Sequence, residues 1–95
     1  MHPILDIPGE FALHQNYPNP FNPLTVIRYS LPVASRVILK VYDVLGREVK
    51  TLVDEVEDAG YKSVDWDASS TPSGVFFYRL RAGSYSETRK LMLIR

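Results

Sequence analysis

The sequence predicts an all-β fold, an immunoglobulin- or fibronectin-like sandwich of about seven short strands. Two observations carry that reading. Apolar and polar residues alternate over short stretches, the two-residue period of a half-buried strand. Turn-forming residues, among them Gly46, Gly60, Pro72, Gly74 and Gly83, interrupt the chain about every ten residues. A third feature sets the chain apart from an ordinary sandwich. Residues 15–23 read Gln-Asn-Tyr-Pro-Asn-Pro-Phe-Asn-Pro, with Tyr17 and Phe21 set among Pro18, Pro20 and Pro23. Proline fixes its own φ, removes a backbone donor and pushes the preceding residue toward extended geometry. The segment is therefore no helix, and a central strand tolerates proline poorly. Two large aromatics are rare in a disordered linker. An ordered, extended arm laid against the β-domain follows, with Tyr17 and Phe21 as the anchors that seal one end of it.

The elements fall in order. Residues 11–14 form a short strand leading into the arm. Residues 25–31 alternate, with Ile27, Tyr29 and Leu31 on one face and Val26, Arg28 and Ser30 on the other. Pro32 ends that strand. Residues 36–43 give the cleanest pattern, with Val37, Leu39 and Val41 facing opposite to Arg36, Lys40 and Tyr42. Val44-Leu45-Gly46-Arg47 is a hairpin turn, and residues 48–53 return along the preceding strand. Residues 54–60 read as an acidic connection carrying Asp54, Glu55, Glu57 and Asp58. A helix competes only over residues 45–58, where Val49, Leu52, Val53 and Val56 share a helical face; β-branched content and the hairpin signal favour strand. Residues 61–67 place Lys62, Val64 and Trp66 together. Residues 68–74 are a polar turn region. Residues 75–82 set Phe76, Tyr78 and Leu80 against Val75, Phe77 and Arg79. Gly83-Ser84 is a tight turn, and residues 85–94 close the domain.

Ninety-five residues suffice for one domain with one core. Residues 1–10 read as linker and residues 11–95 as the folded unit, a module of a longer chain. Eleven basic side chains balance eleven acidic ones, which leaves no electrostatic footprint for nucleic acid. Charge is nonetheless uneven, because Arg79, Arg81, Arg89, Lys90 and Arg95 make the C-terminal region basic. Without cysteine there is no disulfide framework, thiolate metal site or thiol nucleophile. No apolar run reaches the ~18 residues of a membrane-spanning helix, and membrane insertion is not expected.

Candidates for chemistry are few. His14 has no local carboxylate or second ligand, and a Ser-His-Asp triad has no other base to use except His2. Asp65 and Asp67 flank Trp66 on one strand face, roughly 7 Å apart at ~3.3 Å rise per residue, near the spacing of inverting glycosidases. The simpler account has Trp66 inward, both aspartates in solvent and Asp67 capping a turn. No metal and no cofactor is expected. Tyr42, Phe77 and Tyr85 fall opposite the assigned core, and a flat exposed strip of them would bind sugar.

The arm, the run Val41-Tyr42-Asp43-Val44-Leu45-Gly46-Arg47-Glu48-Val49, the segment Val64-Asp65-Trp66-Asp67 and the ending Thr88-Arg89-Lys90-Leu91-Met92-Leu93-Ile94-Arg95 together resemble a known module. The chain resembles the type A C-terminal sorting domain of the bacterial type IX secretion system, itself similar to the immunoglobulin-like domain of the flagellar hook-capping protein. The resemblance covers about residues 11–95. It implies a non-enzymatic tail of a larger secreted protein that acts as a secretion, sorting and cell-surface anchoring signal. Its implied partners are the export machinery, a sortase-like peptidase and the catalytic domain of the parent chain, a secreted hydrolase or protease. The implied location is extracellular or on the cell surface after passage through the periplasm, and a monomer is expected. The family's C-terminal motif maps onto Gly83, for the turn, and onto Lys90, Leu91, Met92, Leu93, Ile94 and Arg95, for recognition. The arm residues Tyr17, Pro18, Asn19, Pro20, Phe21, Asn22 and Pro23 would be structural. A terminal β-strand suits a receptor that adds a strand or reads a free carboxylate. The alternative is an accessory carbohydrate- or surface-binding module of a secreted hydrolase.

Overall fold

Alternating stretches become seven strands in a computed structural model that describes residues 7–95. They are β1 (Ala12–Leu13), β2 (Leu24–Leu31), β3 (Ser35–Tyr42), β4 (Glu48–Glu57), β5 (Gly60–Asp67), β6 (Gly74–Ala82) and β7 (Tyr85–Leu93). Residues 1–6 of the expected linker lie outside the described residues; over residues 7–10 there is no strand. Two antiparallel sheets form, one in the order β1-β2-β5 and the other in the order β4-β3-β6-β7. Three plus four strands, with the chain changing sheets after β2, β4 and β5, is the expected immunoglobulin/fibronectin-like sandwich.

The core lies between the sheets. Ile27, Tyr29, Leu31 and Trp66 contribute from one side; Val37, Leu39, Val41, Tyr78 and Leu80 from the other, all at most 3% exposed. These are the inward positions that the two-residue period assigned. Burying each large side chain is worth roughly 1.5–3 kcal/mol before entropy is counted, so the alternation alone specifies which face of each strand turns inward.

Two readings change. The acidic connection is shorter than expected, because Asp54, Glu55 and Glu57 belong to β4 and only Asp58 and Ala59 join it to β5. Charged residues are at home there, since β4 is a sheet edge and charge protects an open edge from pairing with another chain. The helical alternative over residues 45–58 is replaced by strand, and its spacing has a cause. Pairing steps from Leu39↔Val53 to Lys40↔Thr51 and from Val41↔Lys50 to Tyr42↔Glu48. Leu52 and Val49 are thus extra residues, two bulges that break the alternation and imitate a helical repeat.

Candidate recognition surface of the last strand

The expected recognition residues sit on β7 and just beyond it. A two-residue turn launches the strand, with Ala82 paired to Tyr85 and Gly83 at φ 60°. That angle at the first central position suits the right-handed twist of a hairpin, and glycine adopts it without a Cβ penalty. Beyond the turn the strand alternates. Leu91 and Leu93 are buried at 0% and 1% exposure, while Met92 and Ile94 are 42% and 50% exposed, and Lys90 is exposed too. The candidate residues therefore divide into two core side chains and three surface ones. Arg95 has a third position. Its guanidinium donates to the carbonyls of Ala68 (3.0 Å), Ser69 (2.8 Å) and Thr71, fastening the chain's end to the β5–β6 loop.

β7 is the last strand of its sheet, so its outer backbone groups would be open. The proline arm occupies them. Phe21 N–H donates to the Met92 carbonyl and Ile94 N–H to the Phe21 carbonyl, both at 2.9 Å. Met92 N–H donates to Asn19 Oδ1 at 2.9 Å, and Gln15 Nε2 to the Lys90 carbonyl at 2.8 Å. Phe21 pairs with Leu93 in parallel, whereas Tyr17 pairs with Val26 of β2 in antiparallel. The arm thus leaves one sheet and ends on the other, with bends at residues 18–20 and 22–23 and cis peptide bonds before Pro18, Pro20 and Pro23.

The two expected anchors are placed differently. Phe21 is 1% exposed and lies 5.6 Å from the Trp66 ring. Tyr17 is 72% exposed and seals nothing. The reason is register, because cross-strand partners share a face and Val26 faces outward on β2. Polar side chains that sequence reading did not single out hold the arm instead. Asn16, 2% exposed, donates from Nδ2 to Thr25 Oγ1 (2.9 Å) and to the Pro18 carbonyl (3.1 Å). Tyr78 Oη accepts from the Asn16 amide (2.8 Å) and donates to the His14 carbonyl (2.7 Å), and burial pushes its pKa up to about 12. Nothing in the local pattern announces these contacts, which join residues 62 and 64 positions apart.

The sugar-binding strip does not form. Tyr42 is half-buried beneath the Arg79 guanidinium, 5.2 Å from the ring centre. Tyr85 is in phase with Leu91 and Leu93, so it turns inward and stacks on Phe11 at 5.2 Å. Burial and then the Glu87 carboxylate push the Tyr85 hydroxyl up to about 12. Asp67 caps the following turn by accepting from Ser69, whose hydroxyl and amide hold its carboxyl below the usual carboxylate range. No group of three metal-ligating side chains occurs among the described residues.

Comparison with known proteins bears on this geometry. No curated protein matches the chain. Among solved structures it is similar to PorZ, an essential bacterial surface component of the type-IX secretion system of Porphyromonas gingivalis, with a TM-score of 0.62 and 20% identity. That likeness covers 88% of this chain but 12% of the other, and at this identity it is a likeness of fold. Residues 15–94 match the family described as the secretion system C-terminal sorting domain, a span running from the arm's first contact to the last residue of β7 and one beyond. The chain belongs to the secretion system C-terminal sorting domain family, the sorting domains of type IX secretion.

Proposed function

We propose that this domain is the sorting and anchoring signal of a larger secreted protein, recognised by the export machinery after the protein reaches the periplasm. A sortase-like peptidase removes the tail once the cargo is outside, and the cargo is a hydrolase or protease with its own catalytic domain. Gly83 sets the turn, and Lys90, Leu91, Met92, Leu93, Ile94 and Arg95 form the address. The observation that carries the reading is the family match, which begins in the arm and ends at β7 and so spans the two segments bonded to each other at the sheet edge. The sorting domain itself is non-catalytic.

The test is a reporter directed to the periplasm and fused to this chain, in a bacterium that has type IX secretion. Export is expected only with the domain present and only in cells with an intact system. Retention of a folded fusion in the periplasm, or equal export from cells lacking the system, would overturn the proposal. Deleting the last five residues is a poor control, because it removes Leu91 and Leu93 from the core.

A further inference from the structure

Strand addition to β7 needs free backbone groups along its outer edge. From the Lys90 carbonyl to the Ile94 amide the arm already uses them. Along that stretch a reader of the folded domain is left with side chains, and the exposed ones lie on the outer face of the four-stranded sheet. There Val75 stands opposite Met92, Phe77 opposite Lys90, and Arg81 opposite Ser86. Val75 and Phe77 are half-buried, while Lys90, Met92, Ile94 and Arg81 are exposed.

Charge indicates what fits. The ion pairs among the described residues are Arg36–Asp54, Lys40–Glu48, Arg47–Asp43 and Arg89–Glu87. Arg79, Arg81 and Lys90 are in none of them. Arg79 rests on Tyr42, and its buried Nε has no acceptor. Arg79 also donates to Tyr42 Oη at 3.2 Å, so the fold uses part of it, whereas Arg81 and Lys90 leave their charge free beside an apolar patch of methionine, isoleucine, valine and phenylalanine. A sugar would want flat, exposed rings; an adaptable methionine and branched aliphatics suit a protein surface.

Resting on the sorting reading, we propose that the address is read through the outer face of β6–β7, centred on Phe77, Lys90 and Met92. Its partner is a protein surface that offers apolar side chains and carboxylates. The arm closes the competing route, because it keeps the edge of β7 from accepting a foreign strand.

The reporter fusion tests this with three double variants of the whole chain, each first shown by thermal melting to be folded. Arg81→Glu with Lys90→Glu reverses the charge, and Met92→Ser with Ile94→Ser removes the apolar contact. Gln15→Ala with Asn19→Ala loosens the arm and frees part of the edge. Both face variants are expected to cut export tenfold or more, and the arm variant to leave it at the parent level. Parent-level export by both face variants, or increased export by the arm variant, would overturn the inference while leaving the sorting role standing. Loss on charge reversal alone would point to an acidic glycan and overturn the protein partner. If the unaltered fusion is not exported, the sorting reading falls and takes this inference with it.

Discussion

Replacing Phe21 with alanine removes a ring that is 1% exposed and packed against Trp66. Such a truncation costs about 3–5 kcal/mol, to be measured as the change in urea unfolding free energy. Tyr17→Ala, four positions earlier but 72% exposed, is expected to fall within about 0.5 kcal/mol of the parent. Equal losses from the two would contradict the placement of the arm. Both aromatics were legible as arm residues, but their difference was not. It depends on which face of β2 Tyr17 pairs beside, and a proline-rich segment has no alternation of its own to reveal that. Gly83 is a cleaner case. A Cβ there meets nothing within 4 Å, so only its φ of 60° penalises a side chain. Gly83→Ala should cost about 1–2 kcal/mol, again by urea unfolding, and a neutral result would show that the turn relaxes at no cost.

At the level of elements, β2, β3, β5, β6 and β7 could be read from sequence almost to their ends, because each buries one face and so must alternate. β4 could not. It lies at an edge, carries bulges at Leu52 and Val49, and continues into acidic residues that resemble a loop. The arm's docking was hidden for a different reason. Gln15 bonds Lys90 and Asn19 bonds Met92 across 75 and 73 residues, and no local periodicity encodes a partner so distant. These two side chains supply part of the cover on β7. Gln15→Ala with Asn19→Ala should lower stability by about 1–2 kcal/mol, at roughly 1 kcal/mol or less for each partly exposed hydrogen bond. A thermal melt at matched protein concentration checks this, and no change would mean that the Phe21, Tyr17 and Asn16 bonds suffice to hold the arm.

For the whole molecule, the buried tyrosines predict how the domain responds to alkali. Tyr78 and Tyr85 are each pushed up to about 12, chiefly by burial, and burial with the Glu57 carboxylate pushes Tyr29 higher still. In the unfolded chain a tyrosine ionises near 10. Their contribution is complete below that pH. It is lost as pH rises from about 10 through about 12, because the unfolded state releases its phenolic protons first. The urea midpoint should therefore fall across that interval. A midpoint that stays constant between about pH 10 and pH 12 would contradict the burial. The parallel pairing of Phe21 with Leu93 has a mechanical consequence as well. Arm and last strand run in the same direction, so tension applied at the domain's entry and exit slides one past the other. The bonds Phe21–Met92, Ile94–Phe21 and Asn19–Met92 are then strained together rather than peeled apart one by one. A load-sharing clamp of this kind resists a steady pull, which bears on any tail dragged through a pore behind its cargo.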